Sequence, residues 1–382
     1  MITRRAGWKF FGKWCATYLF PTAQRAMLEK HHCHRFLGVL VDGGRTKTKW
    51  EDKMLRILRF SSLLLLALLG TVCLAQTGSG FQIVNTMPLL NRNATANPPS
   101  APSNLTAHDN GIQYHGGPVM NSTQGVNVYL IWYGNWSGDP LAQSIVTDFV
   151  SNIGGSPYFN INTTYYDYGA GGPDPVRNRV NYAGSITDSY SYGTALTDND
   201  VGNVVQNAVV SGKFPLDQNG VYFVLTSADV DETSGFCRTY CAWHGYQQLT
   251  LGRSQRSPYS VNQIVAFVGA PARCASTGCS PQSLTPNDDF NGDTMVSFIG
   301  HELSESVTDP LGTGWTNAPL NGRNSSRVEN GDLCAFTYDP YFLAPNGSYY
   351  NLKLGNRLYL SQRIWVNALG GYCSMSWING AN

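Results

Sequence analysis

Three short runs of nearly unbroken apolar residues limit the architectures open to this chain: Val126 to Tyr133 (VNVYLIWY), Val221 to Thr226 (VYFVLT) and Gln263 to Val268 (QIVAFV). Each is of strand length and lacks polar alternation, which predicts strands covered on both faces. Between them the apolar spacing turns helical. Leu141 to Ile153 repeats through Ile145, Val146 and Phe149, and Asp198 to Val210 through Val201, Val204, Val205, Ala208 and Val209. Tyrosine-rich alternating stretches around 161–168 and 178–192 read as further strands. Buried strands interleaved with helices predict an α/β fold, a mixed sheet with flanking helices.

The acids are distributed unevenly. Beyond residue 75 the chain carries four glutamates, and three of them are Glu302, Glu305 and Glu329. The first two fall in Gly300-His301-Glu302-Leu303-Ser304-Glu305, on a helix expected from Thr294 to about Thr308, with Asp293 as its cap and Asp309-Pro310 and Gly312 as its stop. Val296, Ile299, Leu303 and Val307 form its buried stripe. His301 and Glu305 then share a neighbouring face one turn apart, the spacing at which two side chains hold a metal ion. A catalytic zinc needs a third protein ligand and an open position for water. Glu329, 24 residues after Glu305, is the first candidate, Asp332 the second and Asp309 the third. Glu302 is placed as general base on the bound water. His244, in Cys241-Ala242-Trp243-His244-Gly245, is a residue to orient substrate or add a ligand. The competing reading makes His301 and Glu305 a buried hydrogen-bonded pair. The element order, strands and helices, then the histidine helix, then a loop supplying acids, resembles a zinc-metallopeptidase core. The run Asp288-Asp289-Phe290-Asn291-Gly292-Asp293 lacks the order of a calcium loop and reads as a polar turn into the helix.

The ends carry different information. Residues 1–53 hold 11 Lys/Arg against four acids, and read as a non-native or disordered basic extension. Met54 to Ala75 follows as a basic segment, an apolar run of about a dozen residues and a small residue before a cut, the form of a signal peptide. A type II anchor is the alternative, for which the run is short against the ~20 residues of a span. Residues 76–110, rich in Asn, Pro and Ser, read as a disordered linker, and 111–382 as one domain. Without residues 1–75 the chain has 13 Lys/Arg and 21 Asp/Glu, so 13 − 21 = −8. That balance has no footprint for nucleic acid, and the mature form has no membrane segment. Six cysteines follow the leader: Cys237, Cys241, Cys274, Cys279, Cys334 and Cys373. In an exported chain they predict disulfides, and the short spacings favour Cys237–Cys241, Cys274–Cys279 and Cys334–Cys373. Asn-x-Ser/Thr triplets start at Asn93, Asn104, Asn121, Asn135, Asn162, Asn324 and Asn346, acceptor sequences if the host glycosylates. The many Tyr and Trp residues include surface positions suited to stacking on a cell-wall polymer.

Several blocks resemble the exordium, or phosphate-induced, protein family. They are Tyr114-His115-Gly116-Gly117-Pro118-Val119, Val126 to Trp136 (VNVYLIWYGNW), Val224 to Val230 (VLTSADV) with Gly235-Phe236-Cys237 and Cys241, Thr285 to Asp289, and Asp309 to Trp315. The likeness runs from about 112 to 375. It implies a secreted, cell-wall or apoplast protein linked in plants to growth control, with the three cysteine pairs as a family trait. Typical plant members are apolar and small where this chain has His301, Glu302 and Glu305. The resemblance therefore implies fold and location, and the zinc site with its peptide or polymer substrate rests on this chain's own residues.

Overall fold

The computed structural model describes residues 81–90, 110–251, 259–274, 278–317 and 328–378. The expected basic extension (1–53) and signal peptide (54–75) lie outside the described residues. Six strands form the central sheet: β1 (Gln82–Pro88), β2 (Val126–Tyr133), β3 (Val180–Asp188), β4 (Gly220–Thr226), β5 (Tyr240–Leu251) and β6 (Tyr259–Gly269), in the order β1-β5-β6-β4-β2-β3. The neighbours β6, β4, β2 and β3 are parallel, while β5 is antiparallel to both β6 and β1. The sheet is mixed, and the α/β class expected from the apolar runs holds. β2 and β4 are the runs without polar alternation, and β4 is buried along its whole length.

Helices cover both faces. Helix α1 (Pro140–Ile153) starts at Asp139, whose carboxylate accepts from the Ala142 N–H at 3.1 Å. Helix α2 (Asp198–Val210) begins in a capping box, Thr197 and Asp200 bonding each other's backbone N–H. Helix α3 (Phe290–Thr308) carries the His-Glu-x-x-Glu run. On β5, His244 meets Glu302 of α3, while Gln247, three residues on and so on the opposite face, donates to the Gly202 carbonyl of α2 at 3.0 Å. The helices α1 and α3 pack together on the first face and α2 lies on the second.

The structure corrects several expectations. Helix α3 starts four residues early, at Asp289, whose carboxylate accepts from Gly292 N–H; Asp293 sits inside the first turn and accepts from Asn287. The burial of α3 reaches beyond its expected apolar stripe, to every residue from Gly292 to Thr308. Two of its hydroxyls are satisfied internally, Ser304 by the Gly300 carbonyl and Thr308 by the Ser304 carbonyl, while Ser297 accepts from Gln362 N–H. The stretch 161–168 is a 3-10 turn (Phe159–Thr164) and a short strand, because Thr163 and Thr164 bond back to the Asn160 and Ile161 carbonyls. The expected linker is also partly wrong. Gln82–Pro88 is the edge strand β1, with Met87 fully buried opposite Ala242. The Asn/Pro-rich residues 91–109 that dominated that reading lie outside the described residues.

All six cysteines are paired, as Cys237–Cys274, Cys241–Cys279 and Cys334–Cys373. Two of the three expected pairings are therefore wrong. The segment after β6 folds back over the start of β5, so each cysteine of the first close pair meets one of the second. Closeness in sequence put both partners of each expected pair on the same side of that contact. Among the described residues no helix is long and apolar enough to cross a membrane.

Candidate metal centre

Three chain segments converge where α3 crosses β5. Helix α3 supplies His301, Glu302 and Glu305. Strand β5 supplies His244 from the sheet, and the loop 329–332 supplies Glu329 and Asp332 from the far side. His301 Nε2 lies 2.9 Å from Glu305 Oε1 and 3.5 Å from Asp332 Oδ1. His244 Nδ1 lies 3.3 Å from Glu302 Oε2 and 3.4 Å from Glu305 Oε2, and its Nε2 is 3.6 Å from Glu329 Oε2. Every sequence-predicted site residue is thus brought together. Asp309 is adjacent: it caps α3 and accepts from the Gly314 N–H at 2.6 Å.

The loop is held by polar contacts from several elements. The Asp332 N–H donates to Glu305 Oε1 at 3.2 Å, the Glu329 N–H to Asp332 Oδ2 at 3.2 Å, and Gln362 Nε2 to the Gly331 carbonyl at 2.8 Å. Asn85 of β1 donates its amide to Asp332. Sequence reasoning missed Asn85 because it lay in the presumed linker, although the Phe81, Ile83, Met87 spacing was a strand signal. It named His244 without seeing that the residue stands on a strand.

These side chains are excluded from water; His244, His301, Glu302 and Glu305 have no exposed surface, and Asp332, at 9%, is the most open. Burial in such a place disfavours every charge. For the two imidazoles it is outweighed by the glutamates: Glu302 and Glu305 push His244 up to about 10, and Glu305, Glu302 and Asp332 push His301 up to about 10. Burial would also raise Glu305, but the charges of His301 and His244 bring it down to about 2. The other acids go up. Burial and the charge of Glu305 push Asp332 to about 8, burial with Asp309 and Glu305 raises Glu329 well above the carboxylate range, and burial raises Glu302.

The contacts do not satisfy the atoms. His301 Nδ1 and Nε2, Glu302 Oε1, Glu305 Oε2, Asp309 Oδ2, Glu329 Oε2 and Asp332 Oδ1 are buried without a hydrogen bond. His301 and Glu305 approach closely yet off the axis along which an N–H would donate, as two lone pairs aimed at one point do. An unpaired buried polar atom costs about 1–3 kcal/mol. Seven of them add up to roughly the whole net stability of a domain, ~5–15 kcal/mol. Attraction between the imidazoles and carboxylates offsets part of that, and a cation would offset the rest. His244, Glu305 and Glu329, and likewise His301, Glu302 and Glu305, each present ligand atoms close enough together to hold a metal ion.

One residue is fixed by the space it leaves. A Cβ on Gly331 would lie 2.8 Å from Glu305 Oε1 and 2.9 Å from His301 Cγ and Nδ1. Gly331→Ala is expected to push both side chains out of place and weaken metal affinity by about 10- to 100-fold, the usual loss when a supporting residue is disturbed. Competition against a chromophoric chelator measures this, and unchanged affinity would show that the loop does not position the centre.

A family model described as the phosphate-induced protein 1 conserved region matches residues 112–347. The chain belongs to the phosphate-induced, or exordium, family. Three Arabidopsis thaliana members illustrate the distance. Protein EXORDIUM-like 5 is 32% identical over 285 residues, covering 66% of this chain and 75% of that protein. Protein EXORDIUM-like 3 is 29% identical over 296 residues, covering 69% and 82%. Protein EXORDIUM is 27% identical over 230 residues, covering 55% and 69%. No solved structure matches the chain. The matched stretch contains every residue of the centre. It also explains two exordium-like blocks as a contacting pair. The His115 and Gly117 N–H groups donate to the Gly314 and Thr313 carbonyls at 2.8 and 2.7 Å, and a Cβ on Gly117 would collide with Thr313. The blocks around 114–118 and 313–315 thus close the end of α3 that carries the acids.

Proposed function

We propose that this exordium-family protein is exported and holds zinc in the His/Glu centre, where it hydrolyses a peptide-like carbonyl substrate. The observation that carries the reading is the set of buried, unpaired ligand atoms on His301, Glu305, Glu329 and Asp332, gathered against the two imidazoles. Two imidazoles and several carboxylates are the donor set zinc takes. Three disulfides support export, since they form in oxidising compartments.

His301 and Glu305, with Asp332 or Glu329, would hold the ion, and zinc there would supply a water acidic enough to ionise near neutral pH. Glu302 has one oxygen near His244 and the other, Oε1, without a partner. Oε1 takes the proton as the water oxygen bonds to the substrate carbonyl carbon, and returns it to the leaving nitrogen as the C–N bond breaks. Elemental analysis of the purified exported protein is expected to find at least one zinc per chain. Peptide hydrolysis should stop with a chelator and resume with zinc. A chain free of zinc after purification under zinc-replete conditions would end this reading.

A second reading, a non-catalytic extracellular binding protein, has its own observation. Tyr341, Phe342, Leu343 and Tyr349 stand exposed on the hairpin Phe342–Leu343/Tyr349–Tyr350, with Tyr341 and Tyr349 rings 4.7 Å apart. Such rings stack on sugar faces. Retention on a cell-wall polysaccharide column, lost on Phe342→Ala with Tyr349→Ala, is the expected result under that reading. Equal retention of the double variant would remove the hairpin from consideration.

A further inference from the structure

We propose that the centre binds two divalent cations, with Glu305 as the carboxylate that bridges them. The inference rests on the metal-centre reading above and adds a second site to it. The two oxygens of Glu305 face different imidazoles: Oε1 is 2.9 Å from His301 Nε2, and Oε2 is 3.4 Å from His244 Nδ1. The remaining acids divide in the same way. Asp332 Oδ1 lies 3.5 Å from His301, and Glu329 Oε2 lies 3.6 Å from His244. One cation is thus held by His301, Glu305 Oε1 and Asp332, the other by one nitrogen of His244, Glu305 Oε2 and Glu329. The second set is close-knit in its own right, its ligand atoms lying within 4.8 Å of one another.

Donor number and charge point the same way. A catalytic zinc uses three protein ligands and one water. This pocket offers two imidazoles and the carboxylates of Glu302, Glu305, Glu329 and Asp332, all buried or nearly so. One dication leaves a carboxylate excess among these buried side chains; two balance the four carboxylates with neutral histidines. Oxygens Oε2 of Glu305 and Oε2 of Glu329, both without hydrogen-bond partners, are the atoms a single ion at His301 would leave unmet. Paired catalytic metals stand about 3.5–4 Å apart, a span one carboxylate bridges. Glu302 Oε1 has no hydrogen-bond partner, and the proposal leaves it the role of base.

The test is metal stoichiometry on the full exported chain, loaded with zinc and dialysed against metal-free buffer. Two equivalents per chain are expected, falling to one in His244→Ala. One equivalent in the wild type would overturn the second site and leave the single-zinc reading intact, whereas none would overturn both. Should His244→Ala fail to fold, the wild-type chain loaded with manganese decides by electron paramagnetic resonance. An exchange-coupled multiline spectrum is expected, and an isolated six-line signal at saturation would refute the bridged pair.

Discussion

Under the proposed hydrolase reading, Glu302→Gln is expected to lower the hydrolytic rate by about 10²- to 10⁴-fold, the range a general base supplies, while leaving zinc content at that of the wild type. Glutamine keeps the volume and the oxygen that faces His244 at 3.3 Å, but an amide cannot take up the proton from water. The comparison that gives the result meaning is Glu305→Gln. Glu305 lies against both imidazoles, and replacing its carboxylate is expected to lose the metal along with the activity. Rates are read as kcat on a peptide substrate with metal measured on the same samples. A Glu302→Gln protein with wild-type kcat would remove that residue from the chemistry.

Stripping the metal is expected to lower the melting temperature by roughly 10 °C. A ligand present at a thousand times its dissociation constant stabilises by about 4 kcal/mol, and a domain of this size shifts by about 2–4 °C per kcal/mol. The effect is large here because the apo centre leaves seven buried polar atoms without hydrogen bonds. Added zinc should restore the melting temperature and calcium should not, since the imidazoles favour the softer ion. Protons compete for the same ligands, so the zinc-dependent increment shrinks as pH falls. A melting curve indifferent to both chelator and zinc would mean that the two histidines and their acids are a self-sufficient polar core.

The uneven legibility of the fold and the centre follows from the range over which each signal acts. Strand β2 and helix α2 were readable to the residue because their apolar patterns are local. The pairing of His301 with Glu305 was equally local, one turn of helix. Asp332 and Glu329 were nameable as acids, but what seats them is distant: Gln362 from the C-terminal segment, Asn85 from β1, and the bare backbone of Gly331. None of these carries a signature in sequence. The cysteine pairing failed for the same reason, since it depends on a chain reversal after β6. The burial of α3 extends past its apolar stripe because Ser304 and Thr308 bond backbone carbonyls one turn back and need no solvent.

Cys334 stands two residues beyond Asp332 and is tied to Cys373 in the C-terminal hairpin Ile364–Val366/Tyr372–Ser374. The bridge closes a loop of 39 residues, and in the chain-entropy view that is worth about 4 kcal/mol. It clamps the only ligand loop that belongs neither to the helix nor to the sheet. Under the proposed metal-centre reading, formation of this disulfide is expected to come before ion capture. A chain folded under reducing conditions would then lack that clamp and is expected to bind the ion more weakly.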